Sequence, residues 1–147
     1  MSIRIIDHKV FRALLEVVYH PKMIALALWF AYRYNFPTIT SGYRKDKIHD
    51  KDSGIHCTKP CRAIDFSTTA LIHPEAAVDD INAHWKYDSD RPEMKCAVYH
   101  DVGFGFYLHL QVHENTVYLG VNHVYQRKEK RSVVILETYV CYHWLIL

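Results

Sequence analysis

Chemistry in this chain concentrates in two stretches. Ile39 to Phe66 reads ITSGYRKDKIHDKDSGIHCTKPCRAIDF, and Tyr107 to Val112 reads YLHLQV. In order they supply an arginine, polar loop residues, histidines, aspartates and two thiols, the residue types of a hydrolytic metal site. Such a site needs three protein ligands from His, Asp or Glu and one position left to water. The metal lowers the pKa of that water toward about 7 and polarises a substrate carbonyl. A general acid or base must stand within hydrogen-bond reach, and a cation or donor stabilises the developing oxyanion. Eleven histidines is a high count, so a pair at short spacing carries little weight alone. His8, His20, His49, His73, His84, His123 and His143 have no motif around them and read as surface or satisfied core residues. His113 lies four residues beyond His109, roughly 13 Å along a strand, too far to share an ion with it.

These residues need elements to hold them. Apolar positions Val10, Leu14, Val17 and Val18 recur at helical spacing from Asp7 to about Tyr19. Pro21 interrupts the pattern, and a second helix is expected over Lys22–Tyr34, stopped by Asn35 and Pro37; one Pro-kinked helix is the alternative. Pro37–Ser41 alternates as a strand, Tyr43–Gly54 is a polar loop, and Arg62–Phe66 is a short strand. Pro74–Trp85 is expected as a helix, with proline first and acidic residues early. Strands are expected at Lys95–His100 and Tyr107–Val112 around a turn at Val102–Gly105, then at Thr116–Tyr125 and Val133–Tyr142 around RKEKR. The order gives an α+β fold: N-terminal helices plus a central, largely antiparallel sheet.

Taken in order, these residues resemble the signature of the zinc-dependent D-Ala-D-Ala carboxypeptidase and murein endopeptidase family. The matching parts are Ser41-Gly42-Tyr43-Arg44, Ser53 with His56, Ala63-Ile64-Asp65, and the strand Tyr107–Val112 with its histidine. The resemblance covers about residues 39 to 112, half the chain, and its specificity lies in the ordered combination. It implies a hedgehog/DD-peptidase-like fold with Zn²⁺ held by His56, Asp65 and His109. Arg44 matches the arginine that steadies the substrate or the tetrahedral oxyanion, a task suited to the guanidinium fork. The implied activity is hydrolysis of peptide bonds in peptidoglycan stem peptides. The small size without a wall-binding domain looks like the compact lysis or virion-associated enzymes of phages.

The chain departs from the family pattern twice. Its aspartate follows the histidine by nine positions where relatives usually have seven, and a glycine between them is missing. Loop insertions before a strand are tolerated. The longer segment carries Cys57 and Cys61, which leaves three readings: Cys61 as a further ligand closing the site, a local disulfide, or ordinary thiols. The second departure is the base. Relatives carry a glutamate three residues before the last histidine, or a His-x-His pair; here the positions hold Phe106 and Tyr107. His100 and Asp101, just ahead of the turn into the His109 strand, are equal candidates, with Glu114 behind them. Gln111 and Tyr107 share the strand face of His109, and either could orient substrate. Two other functions stay open: a non-catalytic zinc-containing binding or structural module of the same fold, and a zinc hydrolase of another small amide.

Composition narrows the partners. The 147 residues are 50% hydrophobic and 23% charged, the profile of one domain over 1–147. A net charge of +2 with one short basic cluster, Arg127–Arg131 broken by Glu129, gives no stripe for nucleic acid. Met23–Tyr34 is too short for a membrane helix and carries Arg33; Val133–Leu147 contains Glu137 and His143, and both read as core elements. The start, MSIRIIDHKVFRALLEVVYH, lacks the apolar run of a signal peptide. The expectation is a protein made in the cytoplasm, with Cys96 and Cys141 as buried thiols, that reaches the wall through a pore or a virion. The oligomeric state is left open.

Overall fold

The computed structural model describes residues 3–34, 37–48, 50, 52–69, 71–101 and 106–120. The expected turn at Val102–Gly105, the second half of the strand expected at Thr116–Tyr125, the RKEKR turn, the strand at Val133–Tyr142 and Cys141 lie outside the described residues. The elements run β1 (Arg4–Ile5), α1 (His8–Leu15), α2 (Pro21–Tyr34), β2 (Thr38–Ser41), a 3₁₀ turn (Ile55–Cys57) and β3 (Ala63–Ser67). They continue with α3 (Pro74–His84), β4 (Trp85–Lys86), β5 (Ala97–Asp101), β6 (Phe106–Gln111) and β7 (Val117–Tyr118). The main sheet is ordered β1-β2-β3-β6-β5, antiparallel except for the β1–β2 edge, and β4 pairs with β7 in a small second sheet. This is the expected α+β class.

The first helix is shorter than its apolar spacing predicts. Asp7 caps it, its carboxylate accepting from Lys9 N at 2.8 Å and Val10 N at 2.9 Å, but it ends at Leu15. The residue before a proline is pushed out of the helical region. His20 precedes Pro21, and the stretch Val18–His20 runs extended against Cys61 instead: Cys61 N donates to Val18 O and His20 N to Cys61 O, each at 2.9 Å. Pro21 therefore starts α2 and does not kink a longer helix. A proline fits this first position because its missing N–H would have no helical partner there.

Alternation sorts the sheet into two faces. Ile64, Phe66, Leu108 and Leu110 turn inward, where Met23, Leu26 and Phe30 of α2 and Ile81 of α3 complete the core. Phe30 and Phe66 meet edge to face with ring centroids 5.0 Å apart. Burying side chains of this size contributes about 1.5–3 kcal/mol each. The register Ile64↔Leu110 and Phe66↔Leu108 fixes the alternate positions, Asp65↔His109, Ala63↔Gln111 and Ser67↔Tyr107, on the other face. On β5, Val98 pairs with His109 and His100 with Tyr107. No helix among the described residues is long and apolar enough to cross a membrane. Cys96 is buried as expected, and burial pushes its thiol up to about 12.

The outer edge, β5, is held by a side chain that imitates a neighbouring strand. Asn82 of α3 donates from Nδ2 to Ala97 O at 2.9 Å and accepts from Ala97 N at 3.0 Å. Asn82→Ala removes both partners and is expected to cost about 2 kcal/mol in urea denaturation. A loss below about 0.5 kcal/mol would mean that water replaces the amide.

Candidate metal centre

His56 reaches the site from the long loop between β2 and β3, and that loop is tied down locally. Asp52 accepts from Gly54 N at 2.8 Å and Ile48 N at 3.2 Å, and pairs with Arg44 Nη2 at 3.3 Å. Gly54 has φ +73°, a left-handed conformation that favours glycine, and it leads into the 3₁₀ turn carrying His56. The His56 carbonyl accepts from Arg44 N at 3.1 Å and from Cys61 Sγ at 3.5 Å. The ring is almost fully buried, with Nδ1 2.8 Å from Gly42 O. A carbonyl can only accept, so Nδ1 carries the proton and Nε2 presents a lone pair.

That lone pair meets two others. His56 Nε2 lies 3.3 Å from His109 Nδ1 and 3.2 Å from Asp65 Oδ1, and His109 Nδ1 lies 2.7 Å from Asp65 Oδ1. Gln111 sets the other side of His109. Its Nε2 donates to Lys95 O at 2.8 Å, which turns Oε1 toward His109 Nε2 at 3.4 Å and favours a proton on that nitrogen. In their neutral tautomers, both imidazoles and the carboxylate thus bring acceptors together, an arrangement that calls for a cation, either an added proton or a metal. Bonds of about 2.0–2.1 Å in a tetrahedral zinc site put ligand atoms about 3.3 Å apart. Two of the three separations match, and the third is a hydrogen-bond contact.

His56, Asp65 and His109 therefore form a group that could hold a metal ion. The two extra positions between His56 and Asp65 are taken up by the loop through Cys61, and the ligand atoms still converge. Burial opposes charge on Asp65, but in the added-proton alternative hydrogen bonds and positive charge from His109 and His56 outweigh it and hold the carboxyl well below the usual range. Neither cysteine joins the group. Cys57 and Cys61 are free, and Cys61 Sγ is directed at the carbonyls of His56 and Ala63, each at 3.5 Å.

The remaining sequence candidates separate. Arg44 is held beside the loop by Asp52, with its Nε buried and without a hydrogen-bond partner among the described residues. The His100 ring stacks near that of His109, centroids 6.0 Å apart and planes 21° apart. Desolvation, then the charge of His109, lowers the His100 pKa from the ordinary histidine value. Sequence alone held His100 and Asp101 level, but the register divides them: Asp101 pairs with Phe106, at the alternate parity to His100 and His109. Glu114 lies beyond the far end of β6, where its backbone carbonyl accepts from Lys22 Nζ. Gln111 is engaged at both ends of its amide, so it orients the ligand His109 and is not free to orient substrate. Tyr107 is half-buried between Ser67 and His100 in the register.

Sequence reading missed Asp52 and the Gly42 carbonyl. An aspartate two residues before glycine is a turn signature, so Asp52 was findable; a backbone acceptor leaves no such mark. Comparison with protein-family models, curated proteins and solved structures finds no match.

Outer partners of ligating histidines typically carry tenfold to a hundredfold in affinity. Gln111→Met keeps the bulk and removes the acceptor; if the group holds a metal ion, the substitution is expected to weaken its binding about tenfold in chelator competition. Unchanged affinity would mean that Gln111 does not set the His109 tautomer.

Proposed function

We propose that this protein is a zinc-dependent peptidase acting on peptide bonds of peptidoglycan stem peptides, in the compact style of phage lysis enzymes. The observation that carries the reading is the convergence of His56 Nε2, Asp65 Oδ1 and His109 Nδ1 on a partly open sheet face. Zinc bound there would polarise a carbonyl and make a water molecule acidic enough to ionise near neutral pH. The resemblance of SGYR, the His56 loop, AID and the His109 strand to the family signature supplies the substrate class.

The chain's own residues divide the remaining work. Arg44, partly exposed and held in place by Asp52, would meet a substrate carboxylate or a developing oxyanion with the accessible part of its guanidinium. His100 shares the His109 face, where an imidazole nitrogen would take the proton given up by the attacking water and deliver it to the leaving amine nitrogen. Tyr107, paired with His100, borders the same face.

The purified protein is expected to carry about one zinc per chain by this reading of a three-ligand site. His56→Ala and His109→Ala should each lose the zinc and the release of new amino groups from purified peptidoglycan. His100→Gln should keep the zinc and lower kcat on the order of a hundredfold. Zinc without amine release in the unaltered protein would leave a metal-binding module of the same fold. A folded, chelator-free protein without zinc would overturn the reading.

A further inference from the structure

Two hydrogen bonds meet on one peptide unit beside the metal centre. The Gly42 carbonyl accepts His56 Nδ1–H at 2.8 Å, and the N–H of that same unit, belonging to Tyr43, donates to the Tyr19 hydroxyl oxygen at 2.8 Å. Tyr19 lies outside the segment that resembles the peptidase family. It stands on the extended stretch between α1 and α2, bracketed by the backbone bonds of Val18 and His20 to Cys61. The buried Cys61 thiol lies beside the Tyr19 hydroxyl and is also directed at the His56 carbonyl, 3.5 Å away. The hydroxyl thus reaches His56 by two routes, through the Gly42–Tyr43 peptide to the ring and through Cys61 to the backbone.

Gly42 is shaped by the same contact. A Cβ at this position would collide with the Tyr19 hydroxyl and come within 2.9 Å of Leu14 Cδ2. Only a residue without a side chain lets the peptide lie between tyrosine and histidine. Bonding at the N–H of an amide also polarises its C=O, so the two bonds strengthen one another. The carbonyl aimed at Nδ1 is what keeps the His56 lone pair on Nε2, facing Asp65 and His109.

We propose that Tyr19 is a positioning residue for the metal ligand His56, acting through the Gly42–Tyr43 peptide unit. The inference rests on the metal-centre reading, but its test has a readout that needs no metal. The full chain would be compared with Tyr19→Phe, Gly42→Ala, the double variant, and Tyr34→Phe. Tyr34 is the matched control, since its hydroxyl donates to Asp80 at 2.6 Å on α3, outside the ligand group. Zinc affinity would be measured by chelator competition, and the His56 ring by nitrogen-15 NMR of the metal-free protein. Tyr19→Phe is expected to weaken zinc binding about tenfold and to shift the His56 Nδ1–H signal, while Tyr34→Phe moves neither. Gly42→Ala should weaken zinc at least as much, and adding Tyr19→Phe should not weaken it further, because both changes break the same contact between Tyr19 and the Gly42–Tyr43 peptide. Wild-type zinc affinity together with an unshifted His56 signal in Tyr19→Phe would overturn the proposal. If the unaltered protein binds no zinc, the metal reading falls, and the His56 signal of the metal-free variants still decides the role of Tyr19.

Discussion

The antiparallel register of β3 on β6 governs both faces of the sheet at once. On the inner face it matches Ile64 with Leu110 and Phe66 with Leu108, under the helices. On the outer face it sets Asp65 opposite His109. A slip of β3 by one residue would turn Ile64 and Phe66 out and drive the Asp65 carboxylate in. Losing that burial alone would cost about 3–6 kcal/mol. The ligand pair is therefore held in contact by core packing and does not depend on an ion to bring it together. The third ligand is different: His56 comes from a loop, and its position rests on hydrogen bonds to Gly42, Arg44 and Cys61.

This division has an electrostatic consequence. A carboxylate taken from water loses solvation that only nearby positive charge or donors can replace. Without a metal, Asp65 receives that compensation as hydrogen bonds and positive charge at His109 and His56, the alternative to a cation bound among the three groups. Gly42 occupies the outer nitrogen of His56, and Gln111 faces that of His109. Both rings are thereby directed toward the carboxylate with their lone pairs, and a metal cation satisfies all three groups at once. Excess protons compete for the same nitrogens, so a metal bound there would be held less tightly as pH falls.

Much of this was legible in the residues because strand alternation is a local pattern. The strands carrying Asp65 and His109 fall within a residue or two of their expected bounds, as do α2 and α3. The shared face of Tyr107, His109 and Gln111 follows from period two alone. What failed depended on distant partners. Helix α1 stops early because Val18–His20 pairs with Cys61, more than forty residues later. His100 and Asp101 could not be separated without knowing which residues they face on β6. Gln111 was placed on the correct face, but its role changed once Lys95 O claimed its amide. Tyr19 left no trace at all, because its effect passes through a backbone peptide.

The longer spacing between His56 and Asp65 raised the question of a closed, thiolate-containing centre. A structural zinc site is completed by four protein ligands, whereas a catalytic one keeps a position open. The added loop does bring Cys61 close to His56, but to its backbone carbonyl and not to its Nε2. A thiol directed at two carbonyls acts as a weak donor, and burial raises its pKa, which disfavours the thiolate a metal would need. Cys61 therefore braces the ligand loop from behind, as Tyr19 does from the N-terminal side. Among the described residues the metal group stays at three members, with His100 stacked beside it on the same face. The extra cysteine of the longer loop is thus turned to support the three converging groups and does not join them.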